Sequence, residues 1–142
     1  MHLETVQNTV AQALRELPEL SRLPVLIDDE GDIPNKLAID ISKTNFAVVV
    51  GSLAYDNAQG GASSKLISGT LSLSVDVYER PVLNRRTPEA LTALQAAQLV
   101  AEALHCLQVD GGVLAFRKIH PPKLIDNDTM LRQVDFDTLT PL

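Results

Sequence analysis

The chain has 142 residues, 45% of them hydrophobic and 21% charged, which suits one globular domain spanning 1–142 that buries roughly two-thirds of its unfolded surface. A formal net charge of −6 with no Lys/Arg-rich run argues against a protein that grips nucleic acid, because phosphate neutralisation supplies most of that affinity. Aromatic residues are only 4%, with no Trp, so Leu, Val, Ile and Ala must fill the core and a base-stacking surface is disfavoured.

The first element is an amphipathic helix. Leu3, Val6, Val10, Ala13, Leu14 and Leu17 recur at spacings of three and four, with Glu4, Gln7, Gln12, Arg15 and Glu16 mostly off that stripe. Pro18 ends it, since proline has no amide hydrogen to donate. No basic region precedes an apolar stretch at the N-terminus, so no signal peptide is expected, and no run approaches the ~18 apolar residues of a membrane span. Residues 24–28 form a short strand candidate that leads into the acidic turn Asp28, Asp29, Glu30, Gly31, Asp32. Leu37, Ile39 and Ile41 alternate with polar residues and read as a second strand. Residues 46–51, a continuous β-branched run after Phe46, suit a central strand covered on both faces.

Residues 52–68 are small and polar around Gly60 and Gly61, a long flexible loop between two strong strands. Its largest apolar groups, Tyr55, Leu66 and Ile67, are its expected anchors. The required spaced Gly and Gly-Lys-Ser/Thr of a phosphate-binding loop are missing. From Leu71 to Tyr78 the alternation is strict: Leu71, Leu73, Val75 and Val77 on one side, Ser72, Ser74, Asp76 and Tyr78 on the other. That period of two marks a half-buried antiparallel strand, and Pro81 stops it.

A helix is then expected over 87–108, with Thr87 as N-cap and Pro88 in the first turn. Thr92, Gln95, Gln98, Glu102, His105 and Gln108 form one narrow polar stripe. The rest is mostly Ala, Leu and Val, so this helix is covered by the sheet and by another element or subunit. Asp110, Gly111 and Gly112 end it. Residues 113–119 and 131–139 close the chain as a hairpin, linked by His120-Pro121-Pro122 and the turn-rich Asp126-Asn127-Asp128. The order predicts an α+β fold with a mainly antiparallel sheet, a long helix packed on one face and an N-terminal helix.

Chemistry is sparse. Cys106 is the single cysteine, which excludes an intrachain disulfide, fits a reducing cytoplasm and reads as a buried thiol in an apolar helix. His105 beside it points about 100° away on a helix, so the two do not form a nucleophile–base pair. His2, His105 and His120 are scattered, without metal-ligand spacing. The Asp28–Asp32 stretch lacks the calcium-loop pattern and reads as a solvated turn. Asp76, Asp135 and Asp137 lie on wet strand faces, and catalysis by them would need convergence and perturbed pKa values. Arg80, Arg85 and Arg86 form a basic corner, either solvated or an interaction site for carboxylates such as Asp28, Asp29 and Asp32 of a neighbouring copy. No catalytic, cofactor or metal site is therefore expected.

The helix-first layout, the strand from Leu73 to Glu79 and the Ala/Leu-rich run after Thr87-Pro88 resemble small tailed-phage tail terminator, or tail-completion, proteins. The resemblance covers almost the whole chain in layout and is diffuse residue by residue. It implies a non-enzymatic ring subunit, commonly a hexamer, that caps the tail tube and meets the head connector. It further implies a place in the virion tail, assembly in the host cytoplasm, and DNA that passes through without specific binding. A neck or baseplate subunit of a phage-like tube shares the layout. A small-ligand-binding or enzymatic α+β domain is the alternative of another class, and it requires a closed pocket with converging polar groups.

Overall fold

Leu71, Leu73, Val75 and Val77 are all buried, and the strand that carries them is the spine of the molecule. In the computed structural model, which describes residues 2–28, 33–57 and 68–141, that strand is β3, Ser68–Glu79. It is flanked by β2, Phe46–Asn57, and by β8, Met130–Pro141, both antiparallel to it. The sheet continues outward from β2 to β1, Val25–Ile27, the one parallel pairing. Beyond β8 lie β6, Ala115–Ile119, and the short β7, Lys123–Leu124. The described residues thus build a six-stranded sheet ordered β1-β2-β3-β8-β6, with β7 on β8. The fold is α+β with a mainly antiparallel sheet, as the element order predicts.

Register explains which side of each strand is apolar. Val75 pairs with Val50 and Val134, and Leu73 pairs with Leu53 and Phe136, so these side chains share one face. A bulge between Val50 and Leu53 keeps that face apolar past Gly51, bringing Leu53 and Tyr55 onto the core side. Two helices cover the face: α1, Leu3–Arg15, and α4, Ala93–Leu104. Val6, Val10 and Leu14 of the first meet the second, whose Ala93, Ala96, Ala97, Val100, Ala101 and Leu104 are buried. Small alanines let the two helices and the sheet approach closely. The element that packs beside α4 on this face is therefore α1 of the same chain. Phe116 packs edge-on against Phe136, ring centroids 6.0 Å apart, closing the core at the β6 side.

Five expectations are corrected. Residues 33–44 are a helix, α2 (Ile33–Thr44), not a strand. Ile33, Leu37 and Ile41 are spaced by four and lie toward the sheet, while Ile39 is 52% exposed. The long helix starts at Ala93, not after Thr87. Glu89 has φ 65°, left-handed backbone that a helix cannot run through, and residues 81–84 form a separate turn, α3 (Pro81–Asn84). Thr92 is the true cap: its Oγ1 accepts from Gln95 N at 3.2 Å, and Gln95 Oε1 accepts from Thr92 N at 3.0 Å, a complete capping box. The helix also ends early, at Leu104. Cys106 follows it with φ 67° and is exposed, so its thiol is not in the core. Asp110 and Gly111 instead form the turn between β4, Gln108–Val109, and β5, Gly112–Val113, which Gly112 begins.

The expected loop at 52–68 is shorter than it reads. Residues 52–57 continue β2 in pairing with β3, and residues 58–67, with Leu66 and Ile67, lie outside the described residues. Gly69 fixes how the hairpin closes. A Cβ there would stand 1.9 Å from the Asp56 carbonyl oxygen, a backbone atom that cannot yield alone. Gly69→Ala is expected to cost about 1–3 kcal/mol by overpacking. Urea unfolding of the variant checks this, and an unchanged midpoint would contradict the close approach.

Candidate functional site

Two polar regions remain once the core is assigned. The first is the end of β3. Glu79 is fully buried, yet it lies on the core side of an apolar strand. Its Oε1 accepts from Ala93 N at 3.1 Å, the first amide of α4, and from Arg85 Nη2 at 3.2 Å. Its Oε2 accepts from Asn84 Nδ2 at 2.7 Å, and the same amide donates to the Leu91 carbonyl. One carboxylate thus binds β3, the 81–84 turn and the start of α4, where the helix dipole also favours a negative charge.

Arg85 therefore has an intrachain partner, although its side chain is half exposed. Arg80 also has one: its Nη2 lies 2.7 Å from Asp128 Oδ2. Hydrogen bonding from Arg80 holds the Asp128 carboxyl below its ordinary range. Of the sequence-predicted basic corner, Arg86 alone is exposed with no ion pair among the described residues. Asp28 is exposed at the end of β1, while Asp29 and Asp32 lie outside the described residues. Tyr55 is half-buried against its own core rather than projecting.

The second region is the sheet face opposite α1 and α4. Helix α2 packs over its Ala47/Tyr78 end, Val49 in the next row is also buried, and beyond that row the face opens into a groove. Ser72, Ser74, Gln133, Asp135, Asp137 and Arg117 line a shallow groove of about 350 Å³ there. Arg117 Nε is 2.7 Å from Asp137 Oδ1, and His120 Nε2 is 2.5 Å from Asp135 Oδ2. Asp76 lies in the next cross-strand row, opposite Val49 and Gln133. Its Oδ1 is buried with no hydrogen-bond partner among the described residues. Burial, then the negative charges of Asp28 and Asp135, push its carboxyl from 3.8 up to about 6, against the opposing pull of His120. Burial and the neighbouring Asp76 and Asp28 likewise push the Tyr78 hydroxyl up to about 12.

The structure thus brings Asp76, Asp135 and His120 into one neighbourhood. No signal in the sequence pairs His120 with Asp135, because the loop after β6 sets that contact. Asp137 is tied to Arg117 instead. His105 Nδ1 accepts from Phe116 N at 3.1 Å, a structural bond across the end of α4 that involves no thiol. Among the described residues no group of three His, Cys, Asp or Glu side chains is placed to hold a metal ion. The groove is open rather than closed, and its acidic and basic side chains are largely paired with each other.

No family profile and no curated protein sequence matches the chain. Among solved structures, a chain from the virion of a native gene transfer agent particle matches over 98% of this chain and 96% of its own length. The TM-score is 0.65 with 16% identical residues, a shared fold with almost no shared sequence.

Two outcomes follow. Glu79→Ala strands the first amide of α4 and Asn84 inside the protein, and is expected to cost about 2–4 kcal/mol in urea unfolding. A loss below about 1 kcal/mol would show that the carboxylate does not organise the corner. Asp76 works in the other direction with pH. Its native pKa lies above the unfolded value, so the native state binds the extra proton, and the stabilisation present in acid is lost as pH rises through about 6. Asp76→Asn should therefore raise stability at neutral pH by about 1–2 kcal/mol, after discounting for the partial exposure of the site. It should also flatten the stability profile between pH 3.8 and about pH 6. A profile parallel to that of the parent would refute the assignment.

Proposed function

We propose that this protein is a structural subunit of a phage-like virion, and more narrowly a ring subunit that caps a tail tube and joins it to the head connector. The match along nearly the full length of both chains to a component of a gene transfer agent virion carries the reading. The site geometry supports it: on the open face Arg117 pairs with Asp137 and His120 with Asp135, and no enclosed pocket gathers a nucleophile, base and charge donor among the described residues.

On this reading the partners are further copies of the chain, joined by a head-to-tail contact that closes into a ring when its rotation allows, together with tail-tube and head-connector proteins. DNA passes the ring without specific binding, because a surface of like charge does not hold it. The protein resides in the virion tail after assembling in the host cytoplasm. It performs no catalysis. A neck or baseplate position in the same tube rests on the same structural likeness.

Size-exclusion chromatography with light scattering, followed by negative-stain microscopy, tests the reading. A closed ring of defined mass is the expected result. A strictly monomeric protein whose melting temperature rises with a small polar ligand would instead favour the binding-domain alternative. Arg86→Glu is the suitable charge test of the ring contact, since Arg85 is committed to Glu79 inside the fold. It should slow assembly more than it weakens the final contact, and more at low salt than at high salt.

A further inference from the structure

Helix α2 and the turn after β7 enclose a second groove, of about 360 Å³, on the open side of the sheet. Leu37, Ala38, Ile41 and Ile125 make its apolar walls, with Tyr78 beneath. It is flanked by aliphatic surface that the fold leaves in water: Ile39 is 52% exposed, Leu124 74% and Ile125 49%. Arg80, Asp126 and Asp128 line the rim, which is acidic in balance because Arg80 is matched by Asp128 alone. Asp126 spends one oxygen on the amides of Asp128 and Thr129. The occupant this chemistry fits is a pair of aliphatic side chains beside one cation.

The chain holds one such segment outside the described residues: Lys65-Leu66-Ile67, immediately before β3. It cannot reach the groove of its own chain. The groove sits at the Tyr78 end of β3, ten residues and about 33 Å from Ser68 at strand rise. Three residues span at most about 11 Å, a third of that distance. We propose that the α2 groove receives the Lys65-Leu66-Ile67 segment of a second copy. Leu66 and Ile67 fill the wall formed by Leu37, Ile41 and Ile125, and Lys65 meets Asp126 at the rim. The contact joins opposite ends of two molecules, so it is head-to-tail and gives each copy one donor end and one acceptor end. It rests on the ring reading above and names the surfaces that would make it.

The test uses three full-length proteins: the parent, a groove variant Leu124→Asp/Ile125→Asp, and a segment variant Leu66→Asp/Ile67→Asp. Melting temperatures establish folding first, and the milder alanine pairs at the same positions replace any variant that fails. Light scattering should show each variant at least about tenfold weaker in self-association than the parent. Mixed one to one, the two variants retain one intact groove and one intact segment between them. They should form a heterodimer and nothing larger. Either variant assembling like the parent, or a mixture that stays monomeric, overturns the proposal while leaving the ring reading standing. A groove variant that fails beside a segment variant that assembles shows another occupant and also overturns it. A parent that is monomeric at every concentration overturns the ring reading and this contact together. As a second measurement, Leu66→Cys/Ile125→Cys in a Cys106→Ser background should oxidise to an intermolecular ladder. Closure within single chains would contradict the reach argument.

Discussion

The buried carboxylate of Glu79 is the constraint around which the fold is organised. A charge in this position is costly unless every lone pair is matched, and here four donors from three residues match it. Those donors fix where β3 stops, how the 81–84 turn packs and where α4 starts. Because α4 starts there, its alanine face falls against α1 and over β3, β6 and β8. A single hydrogen-bonded corner thus transmits the register of the central strand into the helical layer. Packing alone would let α4 slide along the sheet, since an alanine-rich face offers little relief to hold it.

This corner also shows why part of the structure was legible and part was not. The strand from Leu71 to Tyr78 could be read directly, because its burial alternates without exception and a one-residue slip would put every apolar side chain in water. The first helix was readable for the same reason with period 3.6. Residues 33–44 were ambiguous: Leu37, Ile39 and Ile41 satisfy a period of two, and Ile33, Leu37 and Ile41 satisfy helical spacing equally well. Only the neighbour decides, since a helix there covers Ala47 and Tyr78. Thr87 and Thr92 both offer a cap, and local preference favours Thr87 with its proline. The left-handed Glu89 and the demand of Glu79 for the Ala93 amide select Thr92. Cys106 illustrates the remaining limit, because its exposure depends on a helix end that moved four residues inward.

The candidate site was less legible than the fold. That Asp76, Asp135 and Asp137 lie on a wet face follows from alternation alone. Which of them meet does not, because cross-strand register and the path of the chain after β6 decide it. The β3–β8 pairing sets Asp76 one row from Asp135, and the residue after β6 brings His120 to Asp135 while a bulge at residue 117 turns Arg117 to Asp137. The result is an acidic face in which one carboxylate, Asp76, is left without a donor.

The two faces of the sheet are therefore built to different ends. One is sealed by α1 and α4 into a continuous core. The other is covered at one end by α2 and left polar along the rest of its length. Among the described residues, Ile39, Leu124 and Ile125 expose aliphatic surface there, at the α2 and β7 margin, and the Glu79 corner ties down that end of β3. The opposite end of the same strand begins where Gly69 lets two backbones approach too closely for any side chain. In the proposed contact the groove at one end of β3 receives, from a neighbouring copy, the segment that precedes the other end, and a contact of that kind repeats in one direction until rotation closes it.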